Sequence, residues 1–134
     1  MARILLIDDD DSVRMVLLLT LKHFGHTVVE ARNGNEGLEL FRHGGADLLI
    51  TDIVMPEKDG LEVLMNLKRS QPSLKIIAIS GGGRNSAEDY LQIARLMGAS
   101  KVLAKPFTAD VLMAAVNELL AGGGPPPAKP VPPV

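Results

Sequence analysis

The chain has 134 residues, of which 46% are hydrophobic, and a formal net charge of −2. This length suits about one domain, which would bury roughly two-thirds of the surface of its unfolded chain. The weak negative charge provides no basic field for phosphates, so we expect no binding to nucleic acid. Because the chain has no cysteine, it cannot form a disulfide framework, a thiolate nucleophile or a cysteine zinc site.

The first apolar run covers only residues 4–7 and leads directly into aspartates. It is too short to be a signal peptide or a membrane span. We therefore expect a cytoplasmic protein that has no contact with membranes.

Short apolar runs alternate with amphipathic segments along the chain. The runs predict strands at 3–7, 27–31, 47–51, 75–79 and 101–104. Helical spacing of apolar residues predicts helices at 13–24, 34–42, 60–70, 87–97 and 109–120. Thr108 is placed to cap the last of these helices. Five βα units of this length imply right-handed crossovers and a doubly wound parallel sheet of the α/β class.

Chemically distinctive side chains stand where several predicted strands end. They are, in chain order, Asp8, Asp9, Asp52, Ser80 and Lys105. In a parallel sheet the carboxyl ends of all strands lie along one edge, and ligands bind at that edge. We therefore expect these residues to converge on one site.

This set of side chains suits a divalent metal and a phosphoryl group. Carboxylates at one edge repel one another, by about 4 kcal/mol for unit charges about 4 Å apart at an effective dielectric of about 20. Mg²⁺ relieves such repulsion, because it prefers carboxylate, carbonyl, water and phosphate oxygens. Lys105 adds a positive charge, and Ser80 adds a hydroxyl that can donate to a phosphoryl oxygen. Asp52 is the candidate nucleophile, because it is the single carboxylate at the centre of the edge.

These motifs resemble those of the receiver domains of bacterial two-component response regulators. The matching segments are Ile-Leu-Leu-Ile-Asp-Asp at 4–9, Thr-Asp-Ile-Val-Met-Pro at 51–56, Asp-Gly at 59–60, the strand end at Ser80, and Lys-Pro-Phe at 105–107. Their order, spacing and strand context agree over residues 1–121. The resemblance implies a flavodoxin-like (βα)5 fold with strand order 2-1-3-4-5.

The resemblance also implies a role for each matching residue. Asp52 would be the phosphoacceptor, and Asp9 would bind Mg²⁺ directly. Asp8 would act through metal-bound water, and the backbone carbonyl of Val54 would complete the protein ligands. Lys105 would contact the phosphoryl group, and the peptide bond to Pro106 would be cis.

The resemblance further implies a signalling protein that turns over no separate substrate. It would accept phosphate from a phosphohistidine on a histidine kinase or histidine phosphotransfer protein, and catalyse its own phosphorylation and dephosphorylation. Its output would be contact with a downstream target protein, by a monomer or a phosphorylation-dependent dimer. Residues 1–121 would form a stand-alone, chemotaxis-type receiver, because the Gly- and Pro-rich segment 122–134 predicts a flexible tail.

Several other residues have no role in the predicted site, and one differs from the residue that many receivers carry. Asp10 and Asp11 suit a solvated loop at the start of a helix, where acids are favoured. The three histidines, His23, His26 and His43, lie away from the predicted strand edge, and we interpret them as surface residues. Val102 occupies a position where many receivers carry a mobile Tyr or Phe. Valine has one stiff torsion and no ring, so it cannot itself act as an aromatic switch.

Two other functions deserve comparison. In a haloacid-dehalogenase-like phosphatase, Asp8 would be the nucleophile of an Asp-x-Asp motif. That interpretation leaves Asp52 unexplained, and no acidic pair follows Lys105. A docking module that works without phosphorylation would not need the intact set of carboxylates and lysine.

Overall fold

The computed structural model describes residues 2–53, 60–80, 95 and 98–121. Its strands and helices, in chain order, are β1 (Arg3–Ile7), α1 (Asp11–His23), β2 (Thr27–Ala31), α2 (Gly34–Gly44), β3 (Leu48–Asp52), α3 (Gly60–Ser70), β4 (Lys75–Ser80), β5 (Lys101–Ala104) and α4 (Ala109–Ala121). The predicted helix at 87–97 lies outside the described residues except for Arg95, which is helical. The predicted tail at 122–134 also lies outside them.

The five strands form one parallel sheet in the order β2-β1-β3-β4-β5. This arrangement confirms the doubly wound α/β fold and the 2-1-3-4-5 order that the resemblance implies. β1 and β3 are neighbours near the middle of the sheet, with Ile7 beside Thr51 in the register. Residues that follow β1 and residues that end β3 therefore meet at the same edge.

Side chains of each strand point alternately to two hydrophobic cores, one on each face of the sheet. On one face, Leu5 and Ile7 of β1 pack with the buried side of α3, including Leu64. On the other face, Ile4 and Leu6 pack with residues of α1 and α4. Strands buried on both faces need apolar residues at successive positions, which is why they appear as continuous apolar runs in the sequence.

Most predicted element bounds match the structure, and the others differ by one or two residues. β3 and β4 each end one residue later than predicted, so Asp52 and Ser80 are the last residues of their strands. α1 begins at Asp11 because the Asp10 carboxylate caps it, accepting hydrogen bonds from the backbone N–H groups of Ser12 and Val13. Thr108 caps α4 as predicted, through a 3.2 Å hydrogen bond to Val111 N–H.

No helix in the described part of the chain is long and apolar enough to cross a membrane.

Gly37 lies where α2 approaches β1 most closely. A methyl group at this position would overlap Ile7, whose side chain is fully buried. We expect Gly37→Ala to destabilise the fold by about 1–2 kcal/mol, because overpacking outweighs the gain of about 1 kcal/mol in helix propensity. Urea denaturation measures the change. Gly44→Ala is the matched control, because its added methyl would meet the flexible end of Arg3. Equal stability of the two variants would contradict the close packing at Gly37.

Candidate metal and phosphoryl site

The structure brings the predicted site residues together at the carboxyl edge of the sheet. Asp8 directly follows β1, and its backbone N–H donates to the carbonyl of Ala31 at 3.2 Å. Asp52 ends β3, and Ser80 ends the neighbouring strand β4. Lys105 follows β5 and its backbone N–H donates to the carbonyl of Ser80 at 2.9 Å. Backbone hydrogen bonds between the strands thus fix the backbone positions from which these side chains extend.

The acidic residues form a tight cluster. Asp8, Asp9 and Asp52 each offer a carboxylate oxygen, and these oxygens lie within 4.8 Å of one another. Asp8 and Asp52 are buried, whereas Asp9 is exposed. The cluster therefore has two carboxylates inside the protein and one on the solvent side.

Lys105 bridges the two buried carboxylates. Its Nζ lies 3.3 Å from Asp8 Oδ2 and 3.3 Å from Asp52 Oδ2. Burial alone would lower the pKa of Lys105, but the charges of Asp52 and Asp8 outweigh it and raise that pKa above its ordinary value. The ammonium is therefore a fixed positive charge at neutral pH. The Lys105–Pro106 peptide bond is cis, as the resemblance implies.

One lysine does not fully balance the acidic cluster. Burial raises the pKa of Asp8. The Asp10 N–H, which donates to Asp8 Oδ1 at 2.9 Å, and the Lys105 ammonium lower this pKa but do not cancel the effect of burial. Asp9 raises the pKa of Asp8 further by charge repulsion. The folded state without metal therefore disfavours the ionised form of Asp8.

We expect Asp8→Asn to raise the melting temperature of the metal-free protein at neutral pH by a few degrees. For a domain of this size, an increase of about 1 kcal/mol in the free energy of unfolding raises the melting temperature by roughly 3–5 °C. Because the folded-state pKa of Asp8 is raised, this group stabilises the fold below its unfolded pKa of about 3.8 and ceases to do so as pH rises through the folded value. The difference in melting temperature between Asp8→Asn and the wild type should therefore shrink in acid. Thermal melts with EDTA at several pH values measure it, and a lower melting temperature at neutral pH would contradict this account.

Ser80 adds a buried hydroxyl with unused hydrogen-bonding capacity. Its Oγ is buried and has no hydrogen-bond partner among the described residues. A buried hydroxyl without a partner costs about 1–3 kcal/mol. In the register, Asp52 lies beside Ile79, the residue before Ser80. Ser80 is thus one residue beyond the register partner of Asp52 on the neighbouring strand, and no described residue uses its hydroxyl.

The residues that were not predicted as ligands, Asp10, Asp11 and the three histidines, lie outside the cluster. Asp10 is exposed and caps α1, and Asp11 is exposed in the first turn of that helix. His23 and His43 are exposed. The Nδ1 atom of His26 accepts a hydrogen bond from Ala2 N–H, at the opposite end of β1 from Asp8. Interpreting these residues as surface or capping residues is consistent with these positions.

Two valines, Val54 and Val102, were also singled out from the sequence. Val54, whose carbonyl the resemblance implies as a metal ligand, lies outside the described residues. Val102 is half-buried and packs against the core between the sheet and α3. The structure thus has a short aliphatic side chain where a receiver with an aromatic switch would have a ring.

Sequence reasoning missed Arg14. Its Nη1 donates to the backbone carbonyl of Asp8 at 2.7 Å, and its other nitrogens contact Asp11 and Glu30. The one available signal was an arginine three residues after Asp11, a spacing that pairs charges on a helix. The contact with Asp8 depends on how α1 packs against β1 and β2, which that spacing does not reveal.

The donor set fits Mg²⁺. Hard oxygen ligands from one or two carboxylates are what Mg²⁺ uses in proteins, together with waters and phosphate oxygens. Among the described residues, three carboxylates face one ammonium, and burial disfavours the charge on Asp8, so a divalent cation would offset the remaining repulsion.

Comparison with known proteins indicates the family to which the chain is similar. A family model described as the response regulator receiver domain matches residues 4–117. The chain is 35% identical over 120 residues to the chemotaxis protein CheY of Bacillus subtilis (strain 168), covering 88% of this chain and 97% of that protein. A crystal structure of a response regulator receiver domain protein from Clostridium thermocellum has a TM-score of 0.82 at 32% identity, covering 90% of this chain and 94% of that one.

Larger relatives match over only part of their length. The chain is 36% identical over 121 residues to the sensor kinase CckA of Brucella abortus (strain 2308), covering 89% of this chain and 12% of that protein. It spans about half, 53%, of the transcriptional regulatory protein AfsQ1 of Streptomyces coelicolor. The same domain thus occurs in relatives of different overall size. With its parallel sheet, acidic cluster and family match, this chain belongs to the response regulator receiver domains, the phosphoacceptor switches of two-component systems.

Proposed function

We propose that Asp52 accepts a phosphoryl group from a phosphohistidine, with Mg²⁺ held by Asp8, Asp9 and Asp52. The observation that carries this proposal is the Lys105 ammonium, which lies 3.3 Å from carboxylate oxygens of both Asp8 and Asp52. This ammonium lies between two buried carboxylates and is a positive charge beside Asp52. A phosphoryl group would be bound and transferred there.

The chemistry requires little from the protein beyond position and charge. A carboxylate oxygen of Asp52 attacks phosphorus, and an acyl phosphate bond forms. The bond between phosphorus and the donor's imidazole nitrogen breaks, and that nitrogen keeps the electron pair and takes up a proton. An ionised carboxylate needs no base to activate it, so no further proton transfer is required within this site.

The surrounding groups stabilise the charge on the phosphoryl oxygens. Lys105 provides a fixed ammonium beside Asp52. The Ser80 hydroxyl, which has no partner among the described residues, can donate a hydrogen bond. When bound, Mg²⁺ supplies charge neutralisation for these oxygens. By resemblance, Asp8 would hold the metal through water and the carbonyl of Val54 would be a ligand. Preorganised charges of this kind act strongly where they are buried, as the carboxylates of Asp8 and Asp52 are.

The wider setting follows from the family. Receiver domains interact with histidine kinases and with downstream targets. For this chain we propose a histidine kinase or phosphotransfer protein as donor, a target protein as output, and a monomer or phosphorylation-dependent dimer as the working form. We also propose that residues 1–121 form the functional domain, that it catalyses its own phosphorylation and dephosphorylation, and that it acts in the cytoplasm of a bacterial cell.

A phosphorylation assay with a small donor tests this function. The purified chain is incubated with acetyl phosphate and Mg²⁺, and intact mass spectrometry counts the phosphoryl groups. We expect one group per chain, and none when EDTA replaces Mg²⁺. Absence of a phosphoryl group under all conditions, or equal labelling with and without Mg²⁺, would contradict the proposed site.

A further inference from the structure

Arg14 lies in the first turns of α1 and reaches back to the strand end that carries the acidic residues. Its side chain is only 11% exposed. Nη1 donates to the backbone carbonyl of Asp8 at 2.7 Å, Nη2 to Asp11 Oδ1 at 2.6 Å and Nε to Glu30 Oε1 at 3.0 Å. One guanidinium therefore joins the end of β1, the start of α1 and strand β2.

The contact with the Asp8 carbonyl fixes the residue that supplies the buried carboxylate. The Asp8 N–H is already held by Ala31, and Asp8 Oδ1 accepts from Asp10 N–H. Asp8 Oδ2 lies 3.3 Å from Lys105 Nζ. Arg14 adds a fourth contact, on the carbonyl that leads into Asp9. Arginine is suited to this because its planar group donates in fixed directions to several acceptors at once.

We propose that Arg14 is a positioning residue of the metal site, holding the connection between β1 and α1 so that Asp8 and Asp9 present their carboxylates beside Asp52. The inference rests on the proposed function in taking these three residues as the Mg²⁺ ligands. Groups that orient metal ligands change metal affinity by about tenfold or more when they are removed. Arg14 does so without contacting the metal or the phosphoryl group.

A positioning role and a purely electrostatic role predict opposite changes in Mg²⁺ affinity when Arg14 is removed. Removing a positive charge near a metal site strengthens the attraction for Mg²⁺. Loss of positioning weakens binding, because the carboxylates then spend less time in the geometry that binds the ion. In the structure the charge of Arg14 is already paired with Asp11 and Glu30, so we expect loss of positioning to dominate.

The experiment is a calorimetric Mg²⁺ titration of the full chain without any phosphodonor. We expect Arg14→Met to raise the Mg²⁺ dissociation constant by about tenfold. The double variant Arg14→Met with Glu30→Gln restores the net charge of the wild type, and we expect the same loss. Arg14→Lys keeps the charge but cannot reach all three acceptors, so its affinity should fall by about threefold or more.

Two controls separate this role from a general effect on the fold. Glu30→Gln removes the charge of one partner of Arg14 but keeps an amide oxygen that can accept from Nε, and it leaves the Asp8 contact. Arg42→Met removes an arginine that pairs with Glu39 on the surface of α2. Both should bind Mg²⁺ within about twofold of the wild type, because neither alters the hydrogen bond to the Asp8 carbonyl.

A double variant that is folded and binds Mg²⁺ as tightly as the wild type, or more tightly, would overturn the proposal. If Arg14→Met does not fold, Arg14→Lys decides by the same criterion, with circular dichroism confirming that it is folded. Mg²⁺ binding is measured without phosphoryl transfer, so this test remains valid even if Asp52 is not the phosphoacceptor. Failure of Asp52 labelling would instead contradict the proposed function.

Discussion

Asp52→Asn should accept no phosphoryl group from acetyl phosphate, to the detection limit of intact mass spectrometry. Asparagine has nearly the same shape as aspartate, but its neutral amide does not attack phosphorus to form an acyl phosphate. The Lys105 ammonium would keep its contact with Asp8, so the rest of the site is preserved. The loss would therefore come from the missing nucleophile. A thermal melt checks that the variant is folded.

Asp47→Asn is the matched control for this experiment. Asp47 directly precedes the same strand, β3, and its carboxylate accepts a hydrogen bond from Arg3 N–H at the opposite edge of the sheet. The same chemical change there should leave phosphorylation at the wild-type level. Labelling retained in Asp52→Asn but lost in Asp8→Asn would instead support a phosphatase-like nucleophile at Asp8.

Lys105→Met should slow phosphorylation by about a hundredfold or more, because the site loses its preorganised positive charge. It should also destabilise the metal-free fold by roughly 3 kcal/mol at neutral pH, since two buried carboxylates lose their shared cation. Urea denaturation with EDTA measures the second effect. Lys101→Met is the control, because Lys101 pairs with Glu118 at the surface and such pairs contribute about 1 kcal/mol or less.

The effect of Lys105 on stability should depend on pH in a defined way. Because the folded-state pKa of Lys105 is raised, its contribution is complete below the unfolded value of about 10.5 and is lost as pH rises through the folded value. In acid, protonation of Asp8 removes one of the carboxylates that Lys105 pairs with, and the difference between wild type and variant should narrow. A difference that stays constant from acid to alkaline pH would contradict the bridging geometry.

The strand ends were predictable from the sequence because a parallel sheet gathers them at one edge. Apolar runs identified the strands, and the polar residues that follow them identified Asp8, Asp52, Ser80 and Lys105 as neighbours. Boundaries were less certain where a polar first turn precedes the apolar spacing. α1 begins at Asp11, two residues before the predicted start, because the cap at Asp10 and not the apolar pattern determines that start.

Contacts set by tertiary packing were not predictable from the sequence. Arg14 reaches Glu30 of β2 and the Asp8 carbonyl only because α1 packs beside both strands. That the Ser80 hydroxyl has no partner in the part of the chain that the structure describes is likewise a property of the folded interior. The sequence indicates which residue types are present, whereas charge balance at the site depends on burial and distance.

Locating the phosphoryl group tests most directly whether Asp52 is the phosphoacceptor. After phosphorylation with acetyl phosphate and Mg²⁺, borohydride reduction converts an aspartyl phosphate to homoserine, and peptide mass spectrometry identifies its position. We expect homoserine at position 52 and aspartate retained at positions 8 and 9. Homoserine at position 8 or 9, with aspartate unchanged at position 52, would contradict the account.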